Sequence, residues 1–347
     1  MSTDTSLKPQ PRLDAPARRG SGKRTLAIGA GVVLVAASLP LWLVTDDYGV
    51  GLLLQIAIYA AYGLSWHLLA GYTGQYSFGH AAFFGTGAYV MSLLSYRLDV
   101  SPWIGIFAGA AGAAVVGLLI GLIALRLSGL FFGLSTFAVA MILGILATYF
   151  VDLTGGAAGM SLPLRVDNPA MLQFDTQVPL FWITLGVAAL FLLLTWWILR
   201  SRLGLMFRAV RDDAVTAEVS GVNTRKTKII GLCISAAMAG LVGGLYAQSL
   251  LFIDPESGFG MAQSVNAIFV SIIGGMGTLL GPIIGALVFV LLRELGMTVS
   301  NGNGVLSVLF YSTIVFVFIL AAPKGLAGIA RAIIRRVQAF RSKGDPR

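Results

Sequence analysis

Charge is what this chain of 347 residues has least of: Asp, Glu, Lys and Arg together make up 11% of it, where a soluble domain carries roughly 25%. So few charges cannot clothe a water-soluble globule of this size, and the mean hydropathy of +0.85 agrees. A soluble enzyme is excluded. Histidine is almost missing, with His67 and His80 alone, and cysteine occurs once, as Cys233 inside an apolar run. One cysteine excludes a disulfide framework and any cysteine-based zinc site. No hydrolase or metal-binding constellation occurs elsewhere, so no catalytic residue, metal or cofactor is expected.

What fills the chain instead is apolar: 57% hydrophobic residues and 43 glycines. A hydrocarbon core about 30 Å thick takes roughly 20 apolar residues per helix. Ten such runs can be drawn: Thr25 to Val44, Val50 to Ala70, Phe78 to Tyr96, Trp103 to Leu125, Leu130 to Phe150, Pro179 to Leu199, Ile229 to Phe252, Ala262 to Met276, Gly281 to Ser300 and Val305 to Ala322. The fold class expected is an all-α polytopic membrane protein with about ten transmembrane helices. The chain divides into a polar, proline-bearing leader (1–24), a transmembrane domain (25–322) holding one long basic loop (200–228), and a basic tail (323–347). The first run is longer than the roughly 7–15 apolar residues of a cleaved signal and is read as a retained helix. Gly20-Ser21-Gly22-Lys23-Arg24-Thr25 is superficially like a phosphate loop. It lacks the first glycine, the Ser or Thr after the lysine, and a preceding strand.

The net charge of +9 does not imply nucleic acid, because membrane proteins gather Lys and Arg on their cytoplasmic side. Of the 24 basic residues, six precede Thr25, seven lie from Arg200 to Lys228 and seven from Lys324 onward. The segments between are acidic: Asp46 and Asp47; Asp152, Asp167 and Asp175 against Arg165; Asp254 and Glu256. Placing basic stretches inside and acidic ones outside closes the parity of ten crossings, with both termini cytoplasmic and the 151–178 loop outward.

Ion-coupled transporters carry ionisable groups deep in their spans, and this chain has almost none. Arg126 falls at a helix end; Arg293 and Glu294 are adjacent, so their side chains point about 100° apart and need not pair. Glu294 is the single candidate for a proton site, and His67 and His80 read as hydrogen-bonded packing residues. Gly105/Gly109, Gly117/Gly121, Gly129/Gly133 and Gly240/Gly244 are spaced four apart, which lets helices approach closely.

Three stretches carry more. In the basic loop, Leu203, Phe207 and Val210 follow helical spacing with Arg208 and Arg211 interleaved. Asp212 or Asp213 can cap a short helix ending near Gly221. Such an element docks a partner or, in the plainer alternative, lies on lipid headgroups. The second stretch, Gly71-Tyr72-Thr73-Gly74-Gln75-Tyr76-Ser77-Phe78-Gly79-His80, and the third, Gly274-Gly275-Met276-Gly277-Thr278-Leu279-Leu280-Gly281-Pro282, are uncharged and glycine-broken. Non-helical backbone at membrane depth is tolerated where it lines a cavity or is buried in protein.

The runs GYTGQYSFGHAAFFGTGAYV (71–90), LGLMFRAVRDDAVTAEVSGVNTRKTKIIGLCISAAMAGLVGGLYA (203–247), IIGGMGTLLGPIIGA (272–286) and APKGLAGI (322–329) together resemble the LivM type of permease. This is a membrane subunit of bacterial high-affinity branched-chain amino acid ABC importers. The resemblance implies an inner-membrane pore shared with a homologous LivH-type permease, two cytoplasmic ATPases, a periplasmic binding protein facing Asp152 to Asp175, and contact with membrane lipid but no nucleic acid. It also implies that Glu218 and Gly221, as Glu-x-x-Gly, with Arg208, Arg211, Asp212 and Asp213, couple to an ATPase. Val219 and Ser220 fill the middle positions. Thr73, Gln75, Ser77, His80, Asn266 and Ser271 are path candidates, because uncharged polar groups would pass a zwitterion without trapping it. Gly71, Gly74, Gly79, Gly274, Gly275, Gly277 and Gly281 are the structural breaks. Permeases for urea and short amides share this fold, and a self-sufficient transporter or channel and a membrane scaffold stay open as other classes.

Overall fold

The computed structural model describes residues 46–322 except 125, 126, 128, 166 and 167, together with 31, 325, 326 and 328. Apart from residues 31, 325, 326 and 328, the expected leader, first span, phosphate-loop-like string and tail lie outside the described residues, as do Arg126 and Asp167.

The chain is a helical bundle: α1 (Asp47–His67), α2 (Ala81–Leu98), α3 (Pro102–Ala124), α4 (Leu130–Tyr149), α5 (Val151–Thr154), α6 (Val178–Arg200), α7 (Arg202–Asp212), α8 (Ala214–Val219), α9 (Thr224–Leu250), α10 (Pro255–Phe259), α11 (Met261–Gly274), α12 (Gly281–Val299) and α13 (Gly304–Ala321). Among the described residues, seven helical segments are long and apolar enough to cross a membrane: α1 with its extension, α3, α4, α6, α9, α10–α11 and α12. Every expected span from Val50 onward has a helical counterpart among the described residues. The sequence sets their ends by ordinary means. The Asp46 side chain accepts from Gly49 N, prolines stand in the first turns of α3, α6 and α12, and Asp99 and Leu251 close α2 and α9 in left-handed conformation. Proline fits a first turn because its missing N–H has no helical partner there.

The core lies where α1 meets α6, α9, α11 and α12, and where α2, α3 and α9 pack on one another. Its largest enclosed side chains include Trp66, Tyr62, Phe83 and Phe84. α2 is diluted by Gly, Ser and Tyr, yet most of it is buried; enclosed by other helices, it needs less apolarity than a lipid-facing span. α3 and α4 turn Phe107, Ile123, Phe131, Ile142 and Ile145 outward, as lipid solvates them without penalty.

Glycine makes the central crossing. A Cβ on Gly87 would stand 1.9 Å from the Gly240 carbonyl oxygen, and one on Gly240 would stand 2.4 Å from Ala113 Cβ. Gly105, Gly109, Gly117 and Gly244 also meet neighbouring helices. The expected pair Gly129/Gly133 does not hold: Gly133 packs on Phe78, but no described neighbour lies within 4 Å of where Gly129 would carry a Cβ, and Gly129 instead supplies a positive φ of 58° before α4. At the end remote from α7 and α8, a short antiparallel pair, β1 (Met160–Ser161) with β2 (Phe252–Ile253), ties the 151–177 loop to the end of α9.

Candidate functional site

The basic loop folds as two helices, α7 carrying the apolar stripe and α8 being the short capped helix that ends near Gly221. α7 ends at Asp212, and Asp213 begins α8 by accepting from Val215 N at 2.9 Å and from the Thr216 hydroxyl at 2.6 Å. Those hydrogen bonds, that of the Thr216 side chain first, hold the Asp213 carboxyl below its ordinary pKa. Asp212 caps nothing; it pairs with Arg211 at 2.8 Å. Two cappable carboxylates in succession left the break point open, and the backbone chose the second. Gly221 takes φ 86° after α8, a left-handed turn that disfavours any side chain.

The apolar stripe does turn inward. Phe207 and Val210 are buried, Leu203 packs against the core, and Ala217 anchors α8. What faces away is Leu205, Val215, Glu218 and Val219, the last 87% exposed. Arg208 donates to the Gly204 and Leu199 carbonyls, both at 3.1 Å, and so closes the corner between α6 and α7.

Arg211 reaches further. Its Nη1 donates to the Gly71 carbonyl at 3.1 Å, and its Cγ and Cα lie 3.1 and 3.3 Å from where Gly74 would carry a Cβ. Gly74 has φ 72°, so glycine serves both the turn and this approach. Beside it, Gln75 Nε2 donates to the Lys228 carbonyl at 3.2 Å and to Thr73 Oγ1 at 3.0 Å. The basic loop therefore rests directly on the second glycine-broken stretch, a junction 140 residues apart in sequence.

That stretch is less broken than expected. α1 continues as a π-helix over Leu68–Tyr72, which keeps Gly71 helical, and irregular backbone runs only from Gly74 to His80. Several of its polar groups are met by protein, while Gln75 Oε1, Ser77 Oγ and His80 Nδ1 are buried without a partner among the described residues. The Thr136 hydroxyl accepts from Phe78 N and Gly79 N, both at 3.2 Å, and Trp66 Nε1 donates to the Ser77 carbonyl at 2.8 Å. A Cβ on Gly79 would lie 1.8 Å from the Thr136 carbonyl oxygen. Ser264 Oγ accepts from Ala81 N at 3.0 Å, linking the stretch to α11. His80 Nε2 and Ser65 Oγ are hydrogen-bonded at 2.9 Å. His67 departs from the expectation of a hydrogen-bonded packing residue: both its ring nitrogens are buried without a partner, and the ring lies edge-on to Tyr72.

The third stretch forms the turn between α11 and α12. Gly275 and Gly277 take φ 107° and 79°, and a Cβ on Gly274 would stand 1.8 Å from the Gly281 carbonyl oxygen. On α11, Ser271 donates to the Gly63 carbonyl at 3.1 Å and Asn266 to the Tyr59 hydroxyl at 3.5 Å. All six path candidates, Thr73, Gln75, Ser77, His80, Asn266 and Ser271, are buried. None of them lines a groove of about 960 Å³ that opens sideways between α4 and α10–α11. Phe137, Met141, Ile145 and Phe259 form its wall, with Asp254 and Glu256 at one end. Sequence reasoning missed Phe137, Met141 and Ile145, and Thr136 with them, because they sit inside an apolar run whose facing only packing decides. Arg293 and Glu294 are indeed apart: Glu294 accepts from the Tyr48 hydroxyl, and Arg293 donates to that of Tyr59.

The pattern of the family described as "Branched-chain amino acid transport system / permease component" matches residues 49–321. The high-affinity branched-chain amino acid transport system permease protein LivM of Escherichia coli K12 is 26% identical over 92% of this chain and 79% of its own length. LivM of Salmonella typhimurium is 25% identical over 96% and 82%. The permease protein LivH of the same Salmonella system is 27% identical over 78% of this chain and 91% of its own. No solved structure matches the chain.

Proposed function

From its membership of the branched-chain amino acid transport permease family, we propose that this chain is the LivM-type half of an ABC importer in the bacterial inner membrane, carrying leucine, isoleucine or valine inward. It makes and breaks no bonds itself. ATP hydrolysis belongs to two partner ATPases on the cytoplasmic side, a LivH-type permease completes the membrane part, and a periplasmic binding protein delivers solute to the face that bears the 151–177 loop. The termini are cytoplasmic, as is the α7–α8 elbow.

One observation carries this reading: α7 sits on the Gly71–Gln75 segment through Arg211, while Gln75 ties the same segment to the Lys228 carbonyl at the start of α9. An ATPase pushing on the exposed Val215, Glu218 and Val219 face of α8 moves α7 with it. Arg211 then transmits the displacement to the end of α1 and to the segment that Thr136 and Ser264 fasten to α4 and α11. Packed elements with two arrangements convert such a small shift into a change of access. The lateral groove supports a two-permease pore, because an open-sided groove becomes a channel only when a second chain closes it. Thr73, Gln75, Ser77, His80, Asn266 and Ser271 are enclosed in this conformation; in the reading proposed, they meet the solute when the α1–α2 connection shifts.

The test is uptake in proteoliposomes. Leucine accumulates only when both permeases, the ATPases, the binding protein and ATP are all present. Uptake by this chain alone, without ATP, would reject the reading. So would labelling of a Val219→Cys variant from the periplasmic side.

A further inference from the structure

Arg293 stands in the last two turns of α12, half-buried, with its Nη1 donating to the Tyr59 hydroxyl at 3.2 Å. The ion pairs among the described residues are Arg165 with Asp99 and Arg211 with Asp212, so no described carboxylate neutralises it. Its neighbour Glu294 turns the other way, to Tyr48. The Tyr59 oxygen already receives Arg293 and, at 3.5 Å, the Asn266 amide, which leaves its own proton available to an acceptor.

Arg293 and Tyr59 open into a cavity of about 240 Å³ between α1, the start of α6, the end of α9 and α12, at the end of the bundle remote from α7 and α8. That is room for roughly eight waters at ~30 Å³ each, the scale of a small amphiphile. Gln55, Gln177 and Tyr246 give it polar wall, and Leu54 and Ile58 apolar wall. No described Asp or Glu lines it. An ionised group within a membrane protein is costly unless it is paired or serves a ligand.

We infer that this cavity is a carboxylate site, in which Arg293 takes the carboxylate of an incoming solute and Tyr59 donates a second bond. The Gln55 and Gln177 amide oxygens accept from the ammonium of a zwitterion, and Leu54 and Ile58 cover a short branched side chain. The inference rests on the import reading and sharpens it. A fixed guanidinium prefers a carboxylate-bearing solute to neutral urea or an amide.

The test uses the purified assembly of both permeases and ATPases in lipid nanodiscs, with isovalerate and its uncharged isostere isovaleramide as probes in equilibrium dialysis. Isovalerate binds saturably, and Arg293→Gln weakens it roughly tenfold or more, the scale of a lost hydrogen bond to a charged group. Arg293→Lys restores part of that loss, and isovaleramide is indifferent to residue 293. Isovaleramide binding as tightly as isovalerate, or a monodisperse Arg293→Gln assembly that binds isovalerate within about threefold of the parent, overturns the site. So does anionic phospholipid that co-purifies with the parent and not with Arg293→Gln, in the absence of isovalerate binding. Leucine uptake is read separately. Uptake intact with binding unchanged in Arg293→Gln removes this site alone, and isovalerate binding without leucine uptake removes the import reading and keeps the site.

Discussion

The guanidinium of Arg211 makes two kinds of contact whose worth differs, and separating them tests whether the elbow is mechanically joined to the body. Arg211→Met keeps the aliphatic stem against Gly74 and removes every hydrogen bond; Asp212→Asn removes only the ion pair. That pair is half open to solvent, with side-chain exposures of 35% and 66%, and exposed pairs contribute about 0–1 kcal/mol. The bond to the buried Gly71 carbonyl is of the charged kind, about 1.5–3 kcal/mol. At about 1.4 kcal/mol per decade, its loss raises the undocked population of α7 roughly ten- to a hundredfold. Amide exchange in the assembled transporter reads this directly, because local opening is measured by the exchange of the segment that opens. Amides of α7 and α8 exchange faster by that factor in Arg211→Met and within a few fold of the parent in Asp212→Asn. Solute moved per ATP hydrolysed falls in the first variant and holds in the second. Equal behaviour of the two variants in both assays would refute the transmission argument.

Asp at Val219, on the exposed face of α8, leaves the permease folded and abolishes its co-purification with the ATPases; retained co-purification and uptake would place the contact elsewhere. Gly285→Ala puts a Cβ 1.8 Å from the Val270 carbonyl oxygen and forces α11 from α12. It lowers thermal stability in detergent by about 1–3 kcal/mol, as overpacking does, whereas Gly186→Ala, with nothing within 4 Å, is neutral or slightly stabilising. The Asp213 carboxyl, held below its ordinary range by Thr216 and Val215, stabilises α8 above the ordinary carboxylate range, and that contribution is lost only as pH falls through the depressed value. The α8 cap is therefore constant from about pH 5 to 8, which a carbon-13 titration of the Asp213 carboxyl checks. A midpoint at or above the ordinary carboxylate value would refute it.

How much of this was legible in the chain itself follows from which forces act locally. Scarcity of charge, the length of the apolar runs and the clustering of Lys and Arg are one-dimensional properties. They gave the class, the spans from Val50 onward and the expected sidedness, because bilayer thickness and charge burial act on sequence directly. The Leu203, Phe207 and Val210 stripe identified the elbow for the same reason: helical period alone puts them on one face. Which aspartate caps its second helix depended on a backbone choice between two adjacent equals. What tertiary structure alone decided is who meets whom. Nothing near Gly71 in sequence announces that Arg211 will bond its carbonyl, and nothing in an apolar run marks Thr136 as the clasp for Phe78 and Gly79. Arg293 and Glu294 are neighbours that turn to different tyrosines, because a helix sends adjacent side chains about 100° apart and the surrounding helices fix what each one finds.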